Sequence, residues 1–225
     1  MPISENLSAL KTRITAYEEK YGREKNSVTL LAASKGQSVE KILQAFDAGQ
    51  TRFGENYLQE ALAKMLELAD KPIEWHFIGA IQSNKTRKIA EHFSWVHSVC
   101  DKKIAKRLND QRPTSLPPLN ICIEVNLHHE KTKSGVPISE VKSLTEYCLT
   151  LPRLKLQGLM TIPEPKKEFT TQRQVFHELL LLQQSLQQQG VTLNTLSMGM
   201  SADIEAAIAE GATIVRIGTA LFGPR

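Results

Sequence analysis

Residues 197–223 read SMGMSADIEAAIAEGATIVRIGTALFG. A loop with Gly199 between two methionines gives way at Ser201 to an amphipathic run of small residues, and a β-branched segment, ATIVRI, then closes on Gly218-Thr219. Loop, short helix, strand and glycine turn make one repeat of a βα architecture, because parallel neighbours need a crossover that carries the chain back to the starting edge. Traced backward along the chain, the same alternation recurs.

Runs rich in β-branched, aromatic or other apolar residues fall at 28–33, 51–54, 74–79, 95–99, 119–126, 154–161, 193–198 and 212–217, with helical periodicity between them. Eight parallel strands is the number that closes a barrel. The expected fold is α/β, a single (β/α)8 TIM barrel over residues 1–225, although a doubly wound open sheet satisfies the same periodicity. Only LFGPR remains to supply an eighth helix, so the helix expected at 3–22 is assigned to cover the barrel closure with Leu7, Leu10, Ile14 and Tyr17. Helix starts are expected at Ser38 as a cap, at Asn56 and Gln59 with capping-box spacing, at Ser83 as a cap, and at Pro137.

The 225 residues are 41% hydrophobic, enough for one sizeable core. The nearest thing to a linker, QRPTSLPPLN at 111–120, is too short for a flexible tether. A net charge of +4 is spread among acids, which argues against a nucleic-acid stripe. Three scattered cysteines suggest neither a disulfide framework nor a metal site, so a reducing compartment is expected. The opening MPISENLSALKTRI is unlike a secretory signal, and no stretch has the ~20 apolar residues of a membrane span, so a cytoplasmic location is expected.

In a parallel barrel the reactive groups gather at the carboxyl ends of the strands. Lys35 follows strand one; Glu55 and Asn56 follow strand two; Gln82, Ser83 and Asn84 follow strand three; Asn126 ends strand five. Ser201 starts the helix after strand seven, and Arg216, Gly218 and Thr219 close strand eight. A helix start and a Gly-Thr pair together suit a phosphate, because backbone N–H groups and a hydroxyl converge there. Ser201 also reads as an ordinary N-cap and Gly218 as an ordinary turn. Lys35 could form an imine with a carbonyl ligand if burial and a nearby guanidinium, such as that of Arg216, ease loss of its proton. It also reads as a solvated surface lysine.

Six blocks in order carry a resemblance: ASK at 33–35, FGENYLQEA at 53–61, WHFIGAIQSNK at 75–85, VN with KTKSG at 125–135, GLMTIP at 158–163, and the segment from Leu196 to Gly223. The chain resembles the pyridoxal phosphate homeostasis proteins, which are similar to the barrel domain of bacterial alanine racemase without its second domain. The resemblance implies that pyridoxal 5′-phosphate is the cofactor. By position, Lys35 is similar to the family's Schiff-base lysine, and Ser201, Gly218 and Thr219 to its phosphate cradle, with the main chain near Met200 adding to it. Asn56 resembles the polar contact to the ring substituents, and Arg216 the arginine facing the pyridine nitrogen. Ser38 stands where the family often has proline.

An arginine at that nitrogen is a permanent donor, so the ring stays unprotonated and is a weak electron sink. Racemisation would also need a second acid/base on the opposite face. Tyr57 and the pair His128 and His129 are the local candidates, while His92 and His97 make no zinc pattern. The expected role is therefore intracellular cofactor buffering or delivery, with no catalytic residue and no metal. Its partners would be pyridoxal phosphate and cofactor-requiring apoenzymes, with no nucleic acid or membrane, and the protein would be a monomer. The alternatives are a racemase or lyase acting on small amino acids and a cofactor-free barrel aldolase using Lys35.

Overall fold

The computed structural model describes residues 2–128 and 134–224. Its strands are β1 (Thr29–Ala33), β2 (Arg52–Glu55), β3 (Glu74–Phe77), β4 (Trp95–Val99), β5 (Leu119–Asn126), β6 (Val136–Pro137), β7 (Leu154–Met160), β8 (Thr195–Ser197) and β9 (Ile214–Ile217). Every pairing is parallel, in the order β4-β3-β2-β1-β9-β8-β7-β5, and β4 also pairs with β5. That last pairing closes the barrel with eight strands and excludes the open sheet. The two-residue β6 adds to the end of β5 through Val125 and Val136; it is too short to have left a periodic mark.

The helices are α1 (Ile3–Lys20), α2 (Val39–Asp47), α3 (Leu58–Glu67), α4 (Thr86–His92), α5 (Lys102–Gln111), α6 (Ile138–Leu149), α7 (Phe169–Gln188), α8 (Ile204–Ala209) and α9 (Thr219–Phe222). Helix α1 packs against α2, α8 and α9, burying Leu7, Leu10 and Ile14 with Tyr17 partly covered beside them. It is fixed at both ends of this contact: Asn6 Nδ2 donates to the Leu221 carbonyl, and Lys20 pairs with Glu205. The chain after the last strand makes α9, one short turn, and α1 supplies the rest of the cover.

Ser38 caps α2 by accepting from the Lys41 N–H. Two other expected caps are corrected. Tyr57 is the N-cap residue of α3 and makes no side-chain bond there, so Asn56 does not cap the helix. Helix α4 begins after Lys85, and Ser83 instead presents its carbonyl to the Thr86 hydroxyl. The proline-rich 111–120 segment is bonded down: Arg112 donates to the carbonyls of Ala90, Phe93 and Pro117, and Arg153 to those of Pro113 and Leu116.

Most of the apolar core lies between helices and the outside of the barrel. A second, smaller cluster of Leu31, Ala33, Ile78 and Ile214 packs against Trp95. Besides that cluster, buried polar side chains including His76, His97, Ser197 and Arg216 hydrogen-bond across the barrel from four different strands.

Candidate functional site

A cavity of about 310 Å³ opens at the carboxyl ends of the strands. Lys35, Asn56, Met200, Ser201, Arg216, Gly218 and Thr219 all line it, so the seven residues expected from sequence share one space. Ala33, Gln37, Ile78, Ile162, Ala202 and Gly223 complete the wall.

The turn carrying Lys35 is clamped by an ionic group beneath it. Lys64 reaches from α3 to Glu55 Oε1 at 2.8 Å and to the Ser34 carbonyl at 2.8 Å, and it also pairs with Glu60. Ser34 Oγ donates to Glu55 at 2.7 Å, and the Gly36 N–H donates to Glu60 at 2.6 Å. The residues on either side of Lys35 are thus tied to the same three side chains, with Glu55 fully buried and Lys64 only 5% exposed. Burial pushes the Glu55 carboxyl upward, and Lys64 and Ser34 pull it back. Sequence placed Glu55 near the site but not this role, because Glu60 and Lys64 look like an ordinary surface pair at helical spacing.

Arg216 forms the floor. Its Nη1 donates to the Ser197 carbonyl and, at 2.8 Å, to Ser197 Oγ, and its Nη2 donates to the Thr161 carbonyl at 2.8 Å. A guanidinium has five N–H groups, so these three bonds leave two available on the group that lines the cavity. Burial lowers its pKa to about 10, with Asp203, Glu124 and Cys122 opposing, so the charge persists at neutral pH.

Ser201 is not the N-cap of α8, which starts after Asp203. Its hydroxyl accepts from the Ala220 N–H at 3.3 Å and thereby joins the loop after β8 to the turn after β9. The Met200 N–H donates to Asp203 Oδ1 at 2.6 Å, so that amide is already paired. Gly199 lets this loop form: its φ is +93°, and a Cβ there would lie 2.5 Å from Ala207 Cβ. Asn56, which also lines the cavity, has its Oδ1 buried with no hydrogen-bond partner among the described residues, an acceptor open to a bound donor.

Of the candidate second acid/base groups, neither Tyr57 nor His128 lines this space. Tyr57 is 60% exposed and lines a neighbouring cleft. His128 lies 3.4 Å from Glu178 at the surface, and His129 lies outside the described residues. Among the described residues no three His, Cys, Asp or Glu side chains gather as a metal site. The three cysteines are free, and no helix is long and apolar enough to cross a membrane.

Barrel and cavity together define a protein of the alanine racemase N-terminal domain class, whose family model matches residues 6–225. The alanine racemase of Clostridium difficile shares the fold, with a TM-score of 0.75 at 15% identity, covering all of this chain and 57% of the racemase. The pyridoxal phosphate homeostasis protein of Pseudomonas aeruginosa is 54% identical over 225 residues, covering 99% of this chain and 96% of that protein. The structure of PipY from Synechococcus elongatus with pyridoxal phosphate bound is 36% identical with a TM-score of 0.84, covering 98% of this chain and 100% of PipY. The chain belongs to the pyridoxal phosphate homeostasis protein family.

Proposed function

We propose that this protein binds pyridoxal 5′-phosphate as a Schiff base on Lys35 and serves intracellular homeostasis of the cofactor, holding and releasing it with little or no catalysis. One observation carries the reading: a single cavity gathers a lysine, a buried arginine with donors to spare, a Ser-Gly-Thr group and the orphaned Asn56 carbonyl oxygen. The PLP-bound form of PipY supports the same ligand.

When bound, the cofactor supplies an electrophilic aldehyde, a phosphate and an electron-withdrawing ring. Lys35 is the nucleophile, held by the clamp at Ser34 and Gly36. Ser201, Gly218 and Thr219 take the phosphate, with the hydroxyls and the turn's backbone as donors. Asn56 meets the ring substituents. Arg216 offers only N–H groups to the ring nitrogen, which must then accept and stay unprotonated, and this restrains carbanion chemistry.

The free thiols fit a cytoplasmic setting, and a monomer delivering the cofactor to apoenzymes completes the proposal. The decisive experiment is an absorbance spectrum with pyridoxal phosphate before and after borohydride, followed by peptide mapping. Lys35 should carry the reduced adduct, and Lys35→Ala should lose the imine band. Label on another lysine would defeat the assignment, and turnover of alanine or serine to its mirror image at enzyme-like rates would defeat the non-catalytic role.

A further inference from the structure

From Arg216 a line of hydrogen bonds runs down through the barrel to its opposite face. Arg216 Nη1 lies 2.8 Å from Ser197 Oγ, and Ser197 Oγ lies 2.7 Å from His97 Nδ1. His97 Nε2 lies 2.9 Å from His76 Nδ1, and His76 Nε2 lies 2.9 Å from Glu74 Oε1. Ser197 and His97 are fully buried, His76 is nearly so and is stacked on Trp95, and only Glu74 reaches solvent, where Arg52 also pairs with it.

With both imidazoles neutral, the Glu74 end fixes the direction of every link, and the Arg216 end is consistent with it. A guanidinium can only donate and an ionised carboxylate can only accept. Glu74 therefore requires the proton of His76 on Nε2, which leaves His76 Nδ1 as an acceptor. His97 must then donate from Nε2, which leaves its Nδ1 to accept from the Ser197 hydroxyl, whose oxygen accepts from Arg216. Each link holds one proton with no conflict. A second proton on His76 would make His97 accept at Nε2 and carry its own proton on Nδ1, which would leave the Ser197 hydroxyl proton without its acceptor in the line. Burial depresses both imidazoles, that of His97 well below its ordinary value, with the charge of Arg216 adding to the effect at His97. The other charged or titratable groups around this line are Arg52 beside Glu74, and Asp203, Glu124 and Cys122 beside Arg216.

We propose that Ser197 and His97 are positioning residues that hold Arg216 as a fixed donor at the cavity floor, and that Glu74, at the far face of the barrel, sets the polarity of the line. The consequence for the ligand rests on the cofactor reading above; the hydrogen-bond polarity does not.

Nitrogen-15 imidazole NMR on cofactor-free protein tests the polarity. At about pH 7.5 His76 and His97 should both be neutral with the proton on Nε2. Glu74→Gln, whose amide can donate or accept, should give His76 a mixture of tautomers. A proton on His97 Nδ1 in the parent, an imidazolium at either residue at that pH, or unchanged tautomers in Glu74→Gln would overturn the proposal. The cofactor arm compares release of pyridoxal phosphate. Ser197→Ala should lose it roughly tenfold faster, the effect of one charge-assisted hydrogen bond, and Ser197→Thr should restore the parent rate. Equal release by the parent and Ser197→Ala would sink the positioning role. A parent that takes up no cofactor would defeat the proposed function, and the NMR arm would still decide the polarity.

Discussion

Replacing Lys64 with methionine removes the cation beneath the Lys35 turn while keeping a side chain of similar reach. Glu55 is then left fully buried with Ser34 Oγ as its remaining partner, since its Oε2 already has none. Breaking such a pair typically costs about 3–5 kcal/mol, because a buried charge is left uncompensated. Glu55 limits the loss by taking a proton. From its ordinary value of 4.5, protonation at pH 7 costs about 1.36 × 2.5 ≈ 3.4 kcal/mol, and at pH 5 only about 0.7. The sign follows: the variant raises the folded-state pKa of Glu55, so its deficit is small near pH 4.5 and grows as pH rises. For a chain of 225 residues the pH 7 deficit lowers Tm by roughly 7–14 °C. Thermal melts of cofactor-free parent and variant at pH 5 and pH 7 measure it. The gap should widen between the two, by less than about 2.7 kcal/mol because burial already raises Glu55 in the parent. A gap equal at both pH values would show that Glu55 is not held by Lys64.

Other positions give independent checks. Thr219→Val removes one hydroxyl from the proposed phosphate group and should weaken pyridoxal phosphate binding by about one to two decades in Kd, with Arg216→Glu worse, as equilibrium dialysis would read. Glu124 is raised to about 7 from 4.5 by burial, against the pull of Arg216. Its contribution to stability is therefore present below 4.5 and lost as pH rises through 7, so Glu124→Gln should gain about 3 kcal/mol on the parent at pH 8 relative to pH 4, read by urea unfolding. Gly79→Ala would put a Cβ 2.2 Å from the Asn56 carbonyl oxygen, so it should lose about 1–3 kcal/mol and loosen the cofactor; a variant matching the parent in both would show that this wall gives freely.

The barrel was legible because its signal is repetition: apolar runs of four to eight residues alternate with helical segments that carry their own apolar stripe. The cavity was legible because the architecture sends every strand's carboxyl end to one place, so Lys35, Asn56, Arg216 and Thr219 could be gathered without knowing any contact. Contacts among separate elements were hidden. Ser201 looked like a cap from its neighbours, yet its partner is Ala220, nineteen positions away on the next turn. The line from Arg216 to Glu74 joins β3, β4, β8 and β9, and no local window holds two of its links. One clue was present: Glu74 and His76 alternate with Trp75 and Phe77, and Trp95 and His97 with Val96, a period of two that sets polar and aromatic groups on the inner face of two neighbouring strands.

Helix α1 has a consequence for synthesis. Its stripe of Leu7, Leu10 and Ile14 leaves the ribosome well before two of the helices that cover it, α8 and α9, which begin at Ile204 and Thr219. At ordinary elongation rates about 190 residues separate Ile14 from Ile204, roughly 10–40 seconds of translation. Throughout that interval the α1 ridge lacks the cover of α8 and α9, so chaperones can reach it, and α1 completes its docking late.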